Sequence, residues 1–519
     1  MNHLSRNRPA EKSETARAVA VRFHALSAGG DAVGRDSDER TVFAPLAAPD
    51  EEAQVEIIET KKRFARGRVL QITRPSAHRV APPCPYFQRE ISNAEAQIAT
   101  NETPDSLDET AKNETSQPQN RSETGRAPQA ECGGCQWQHI EYSMQVAAKR
   151  DLVVQALRRI GGVEDAETLV ENCLVSPPFS YRNKADFVVT AETFRAPKAT
   201  RDASQNTKNQ DAQSLARIGF YARDSHRVVD VARCLIQQEP NNLVLQAVRE
   251  ACEIGLAAPF DARDESGVLQ RVVVRTSTQN ESFLVVVTTR ADWPQADAFA
   301  RFVQERAPQI VGVLRRTARD ATVSICGRDW LEETVDGLRL RVTGDGFFQV
   351  NSPMTPQLLQ TALRLAEVRA GERVFDAFCG VGLFALALAR KGARVLGIEQ
   401  NAQAIENAIF NARQNGLEAE FTSGDVAQVL RQRARNRRGV EKFDVVLLDP
   451  PRAGAASCLS EIAHLAPRRI VYVSCDAATL ARDVRALALL GYVLKRAIPL
   501  DFFPQTAHVE TVARLERVN

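Results

Sequence analysis

The chain has 519 residues, 44% of them hydrophobic, with 67 Lys+Arg against 65 Asp+Glu and a formal net charge of +2. That length predicts about three domains, and the balanced charge leaves any nucleic-acid surface to local clustering. No run approaches the ~18 apolar residues of a membrane span. The polar start MNHLSRNRPAEKSETA lacks the apolar stretch of a secretory signal. Both point to the cytoplasm, where the 10 cysteines are better read as thiols or metal ligands than as disulfides.

Residues 1–15 read as a disordered tail. Residues 16–75 alternate apolar and polar between Gly- and Asp-rich turns, which predicts a small all-β unit. Its last strands carry Lys61, Lys62, Arg63, Arg66 and Arg68, either a solvated strand face or an RNA-facing one. Residues 88–130 and 193–214 are polar and patternless and read as disordered insertions. The region 76–340 otherwise reads as α+β. It has a helix at SMQVAAKRDLVVQALRRI and strands at YRNKADFVVT, ARIGFYA, VLQRVVVRTS and ESFLVVVTT. From about residue 341 to 519, short apolar strands (RVFDAF, ARVLGIE, FDVVLLD, RRIVYVS) alternate with helical segments. That is the pattern of a doubly wound, mostly parallel sheet, an α/β Rossmann-like fold.

Asp376-Ala-Phe378-Cys379-Gly380-Val-Gly382 lies between a strand and a helix, where such sheets bind ligands. Nineteen positions beyond Gly380, Glu399 ends the next strand and can accept hydrogen bonds from ribose hydroxyls. The last glycine of a phosphate-cradling G-x-G-x-x-G is replaced by Phe384–Ala385, so a cofactor without phosphates, such as S-adenosylmethionine, is favoured. Asp425 is read as an adenine contact or, with equal weight, as a helix N-cap. FDVVLLDPPRAG ends a strand in Asp449 followed by two prolines, which stop the ladder and stiffen the loop. In IVYVSCDAATLARD, Cys475 ends a buried strand among Ser474, Asp476, Thr479 and Arg482. A packed core cysteine is the ordinary reading; polar neighbours make a reactive thiolate plausible.

Five motifs, GDGFFQVN (344–351), DAFCGVG (376–382), DPPRAG (449–454), SCDAATLARD (474–483) and HVETVARL (508–515), occur in this order. In them the chain resembles the RNA uracil-C5 methyltransferase family. As a whole it resembles that family's 23S ribosomal RNA branch: an N-terminal TRAM β-barrel, a central iron–sulfur and RNA-binding region, and a methyltransferase domain. The resemblance implies methylation of C5 of a uridine in 23S rRNA, with a single-stranded or flipped-out base as target, and no membrane or obligate protein partner. It implies Cys475 as the nucleophile that adds to C6 and Glu510 as the base that removes the C5 proton. Gln349, Phe378, Gly380, Glu399, Asp425 and Asp449 would line the S-adenosylmethionine or base pocket. The chain departs from the family at Ala477, where relatives often have proline, and at Leu383, where some carry a polar residue.

Cys84 in PPCPYF, the pair Cys132 and Cys135 in ECGGCQWQH, and Cys234 in VARCLI form a four-thiolate set that suits a [4Fe–4S] cluster or zinc. The resemblance favours the cluster, although the spacer after Cys84 is far longer than in relatives. Three other readings are a tRNA uracil-C5 methyltransferase, a small-molecule methyltransferase, and a non-catalytic iron–sulfur RNA-binding scaffold.

Overall fold

The structure is a computed structural model that describes residues 18–87, 92–93, 131–193, 214–290, 292–317, 322–344, 346–436 and 442–518. The expected tail, and the expected insertions apart from residues 92–93, 193 and 214, lie outside the described residues. The chain divides into two compact units, Met1–Glu131 and Cys132–Asn519.

The first unit contains β1 (Ala18–Leu26), β2 (Ala32–Asp36), β3 (Thr41–Ala44), β4 (Glu52–Thr60), β5 (Phe64–Arg74) and the two-residue β6 (Ser92–Asn93). The order β3-β2-β1-β4-β5-β6, with β3 also pairing β5 in parallel, closes the sheet on itself. This is the expected small barrel, and closure removes the exposed edges of an open sheet. Along β5, Ala65, Gly67 and Val69 point inward while Arg66, Arg68 and Leu70 point out. Gly67 is required by close approach: a Cβ there would stand 2.2 Å from Val55 Cγ1.

The second unit opens with α1 (Tyr142–Arg159) and α2 (Ala166–Leu169). There follow β7 (Lys184–Thr193), β8 (Ser214–Tyr221), β9 (Val228–Asp230), α3 (Glu239–Glu253), β10 (Leu269–Thr276), β11 (Ser282–Thr288), α4 (Ala296–Arg306), β12 (Ile310–Thr317) and β13 (Val323–Gly327). These strands form one sheet in the order β13-β12-β11-β10-β7-β8-β9. Val244, Leu245 and Val248 of α3 and Phe299 and Val303 of α4 share its apolar core. A hairpin, β14 (Trp330–Val335) and β15 (Leu338–Thr343), leads onward.

The remaining elements are α5 (Thr355–Ala366), β16 (Arg373–Ala377), α6 (Leu383–Arg390), β17 (Arg394–Glu399), α7 (Ala402–Gln414), β18 (Glu420–Ser423), α8 (Val426–Asn436), β19 (Val445–Leu448), α9 (Leu459–His464), β20 (Arg469–Ser474), α10 (Ala477–Leu489), β21 (Tyr492–Leu500) and β22 (Glu510–Arg517). The sheet order is β18-β17-β16-β19-β20-β22-β21. β18 to β20 run parallel, and β22 is antiparallel to both its neighbours. Every residue of β19 and β20 is buried, as expected for strands covered on both faces. Strand order reverses between β16 and β19, which opens a crevice at their carboxyl ends. Val153, Val154 and Leu157 of α1 lie in the same core as Leu480, Val484 and Leu487 of α10, so the early helix is packed into the late sheet. No helix among the described residues is long and apolar enough to cross a membrane.

Candidate active site

The chain leaves β16 through Phe378–Gly382 and enters α6. This turn uses the left-handed backbone region at Phe378 (φ 66°), Gly380 (52°) and Gly382 (91°). Glycine reaches that region freely; for Phe378 it is strained. The strain is held by N–H bonds from Phe378 and Cys379 to the Ile398 carbonyl at 2.8 and 3.1 Å. A Cβ at Gly380 would meet nothing within 4 Å, so the floor of the turn is open. At the end of β17, Glu399 accepts the Gly380 N–H at 3.3 Å and the Asn401 N–H at 2.8 Å, which fixes the carboxylate beside that floor.

Four carboxyls from the ends of β16, β17, β19 and β22 act on one another here. Burial, then Asp449 and Glu399, push the Asp376 carboxyl far above its usual range. Asp376 is fully buried, and neither of its oxygens completes a hydrogen bond. Burial and Glu399 raise Asp449 to about 7. Such a crevice repels phosphate and welcomes a cation. Its orphaned acceptors and open glycine turn fit the sulfonium and ammonium groups of S-adenosylmethionine; Asp376, Gly380 and Glu399 are the residues placed to hold it.

Asp425 Oδ1 accepts the Gln428 N–H at 2.9 Å, so it caps the start of α8, one of its two expected roles. Gln349 is buried, and its carbonyl accepts from Asn183 Nδ2 at 3.1 Å. No hydrogen bond among the described residues joins its side chain to the crevice.

The residues expected to react stand at the same sheet edge. Cys475 lies between the last residue of β20 and Asp476, whose carboxylate caps α10 by accepting the Thr479 N–H at 2.7 Å. Ala477 occupies the first helical position, where proline is preorganised; the Asp476 cap starts the helix without it. Thr479 Oγ1 donates to the Arg452 carbonyl at 3.1 Å and Arg482 Nη2 to the Ala453 carbonyl at 2.8 Å. Helix α10 thereby anchors the loop after the two prolines, and the Arg452 guanidinium reaches Cys475. Burial, then Glu510, raise the Cys475 thiol to about 11, Asp449 adding to this; Arg452 opposes them by its charge and a hydrogen bond. Glu510, the first residue of β22, is buried, and burial followed by Asp449 holds its carboxyl far above the usual range, again opposed by Arg452.

Cys475, Glu510 and Asp449 are thus brought together as expected, and Asp376 and Arg452 complete the site. Neither of these was singled out from sequence, although both sit inside the motifs DAFCGVG and DPPRAG. Their signal was a charged residue at the carboxyl end of an otherwise apolar strand or just beyond it. Arg452→Ala should lower methyl transfer at neutral pH by roughly 10- to 100-fold, the loss of a hydrogen bond to a charged group. The thiolate would form at higher pH without the guanidinium, so the deficit should shrink as pH rises. A rate–pH profile checks this; an equal deficit at every pH would mean that Arg452 only binds substrate.

The cysteines expected to bind metal fall in both units. Cys84 is buried in the first. In the second, the Cys132–Cys135 turn is tied to β8 by the Gly133 N–H, which donates to the Tyr221 carbonyl at 3.0 Å. Cys135 and Cys234 both act on the buried Tyr181 hydroxyl. Among the described residues no three His, Cys, Asp or Glu side chains form a group that could hold a metal. Cys173, Cys252 and Cys458 are buried, whereas Cys326 is partly exposed. Of the basic hairpin residues, Lys61, Arg66 and Arg68 form ion pairs with Glu59, Asp31 and Glu56, so much of that face is internally neutralised.

A family model described as tRNA (uracil-5-)-methyltransferase matches residues 303–518, and the TRAM domain model matches 12–70. An uncharacterized RNA methyltransferase of Gloeobacter violaceus is 33% identical over 514 residues, 96% of each chain. Another from Halalkalibacterium halodurans is 31% identical over 513 residues, 96% of this chain and 97% of its own. Among solved structures, the Pyrococcus abyssi tRNA (uracil-54, C5)-methyltransferase bound to S-adenosyl-L-homocysteine has a similar fold. Its TM-score is 0.64 at 23% identity, covering 95% of this chain and 99% of that one.

Proposed function

Because the chain belongs to the RNA (uracil-5-)-methyltransferase family, we propose that it methylates C5 of a specific uridine in 23S ribosomal RNA, with Cys475 as nucleophile and Glu510 as base. Methyl transfer from S-adenosylmethionine to RNA is the activity of the family; the ribosomal substrate and the residue roles are our reading. The observation that carries it is the convergence of Cys475, Glu510, Arg452 and Asp449 at one sheet edge.

C5 of uracil is a weak carbon nucleophile. Addition of the Cys475 thiolate to C6 moves the ring's electron pair onto an enolate and makes C5 reactive. S-adenosylmethionine, when bound, supplies the electrophilic methyl group. Glu510 then accepts the C5 proton, and the returning electron pair expels the thiolate and restores the ring. Arg452 steadies the thiolate in both directions. The nucleophile is half-buried at a strand end, so the base must leave its stack to reach it.

The four cysteines, which the resemblance assigns to the ribosomal branch, favour ribosomal RNA. A tRNA substrate is the second reading, favoured by the fold shared along nearly the whole length of the Pyrococcus abyssi enzyme, described as acting on tRNA. Methyl incorporation into unmodified ribosomal RNA and tRNA decides: label in 23S RNA is expected, and label in tRNA alone would overturn the choice.

The cluster expectation rests on the cysteine set and the family resemblance. Protein purified without oxygen should be brown and contain iron with acid-labile sulfide. Stoichiometric zinc, or no metal, would overturn the cluster and leave the catalytic roles standing.

A further inference from the structure

Glu510 opens β22 after an irregular segment, Asp501–Val509, that links it to β21. The position of the base therefore depends on how this segment is held. Four successive carbonyls in it accept hydrogen bonds from residues far away in sequence. Asn351 Nδ2 donates to Phe502 at 2.9 Å, Lys149 Nζ to Phe503 at 2.9 Å, and the Tyr181 hydroxyl to Pro504 at 3.1 Å. The Gln136 and Trp137 N–H groups both donate to Gln505 at 3.0 Å.

Helix α1 supplies the centre of this grip. Lys149 is fully buried, ion-paired with the equally buried Asp501, and 5.8 Å from the Trp137 ring centroid. One turn earlier, Gln145 Nε2 donates to Gln505 Oε1 at 3.0 Å, and the Gln505 N–H donates back to Gln145 Oε1 at 3.1 Å. One helix face thus fixes residues 501, 503 and 505. A buried ion pair adds little net stability, since apolar residues of similar volume commonly serve as well, and its best-attested use is to set register. Here the register is that of the chain entering the base.

We propose that Lys149, with Asp501 and Gln145, is a positioning residue for Glu510: it sets the carboxylate against C5 of the bound uracil without touching substrate. This rests on Glu510 being the base. Thiolate addition and methyl transfer use Cys475 and do not need the Glu510 carboxylate. Loosening the segment should slow only the last step, loss of the C5 proton and release of sulfur.

The test uses full-length protein and ordinary, unfluorinated uridine RNA. Lys149→Met/Asp501→Leu removes both charges together and avoids a stranded buried ion; Gln145→Leu is the second variant should the first not fold. Each is expected to keep first-turnover methyl transfer and kcat/KM for RNA near the native values, so that KM falls along with kcat. kcat should fall about 10- to 100-fold, the cost of a displacement near 1 Å. A methylated, denaturant-stable protein–RNA adduct should accumulate, as it should for Glu510→Gln. Folded variants with native kcat, or with reduced kcat and no adduct, would overturn the positioning role. Absence of adduct in Glu510→Gln as well would instead bring down the assignment of the base.

Discussion

Cys475→Ser is expected to abolish turnover, a loss of about four orders of magnitude or more, as for deletion of a covalent nucleophile. Serine preserves size and polarity at the end of β20 and leaves the Asp476 cap of α10 in place, so folding and cofactor binding should persist. The hydroxyl fails for an electronic reason. A thiol raised to about 11 is still ionised far more easily than an alcohol in the same half-buried, carboxylate-flanked position, and the thiolate is the stronger nucleophile. Single-turnover methyl transfer measures the loss. RNA carrying 5-fluorouridine gives the complementary result: fluorine cannot leave as a proton does, so the native enzyme should be trapped as a covalent adduct and the serine variant should not. Retained turnover in the variant would end the covalent reading.

Glu510→Gln should lower turnover by about 10²- to 10⁴-fold, the range for a general base, while adduct builds up on ordinary uridine RNA. Its stability should move in the opposite direction from its activity. The carboxyl is held protonated in the folded chain at pH values where the unfolded chain ionises it. Native stability from this group is therefore full below the ordinary carboxylate range and declines as pH rises toward the raised folded value. Glutamine has no proton to lose, so the variant should melt at the same or a higher temperature than the native protein at neutral pH. The base must be ionised to act, so the native rate should climb as pH rises toward the raised folded value. Thermal melts and rate–pH profiles of both proteins check these signs; a variant less stable at neutral pH, or a native rate that falls with pH, would contradict them.

The late sheet was readable because its strands are short apolar runs bounded by helical segments, a pattern set by burial on both faces. Cys475, Asp449, Glu399 and Gly380 could be named because ligand-facing residues in such sheets follow the strands' carboxyl ends. Asp425 was ambiguous by nature, since a carboxylate after a strand suits both a ligand and a helix start, and the fold uses it as a cap. Asp376 was named only as the first residue of its motif; its complete burial without a hydrogen-bond partner is what sets it apart as a place for a cation. Arg452 needed the third dimension too, because its approach to Cys475 depends on two carbonyls anchored by α10.

Local sequence, then, determined the barrel and the doubly wound sheet, because these follow from side-chain periodicity, and the family resemblance of its short motifs pointed to the Cys475 sulfur as the proposed nucleophile. Tertiary structure alone decided which distant groups surround that sulfur. The antiparallel placement of β22 beside β20 puts Glu510 next to Cys475, and α1, more than 340 residues earlier in the chain, closes on the segment before Glu510. Pairing across such separations is selected by the packing of whole elements, and buried charges like Lys149 and Asp501 find each other only once that packing exists.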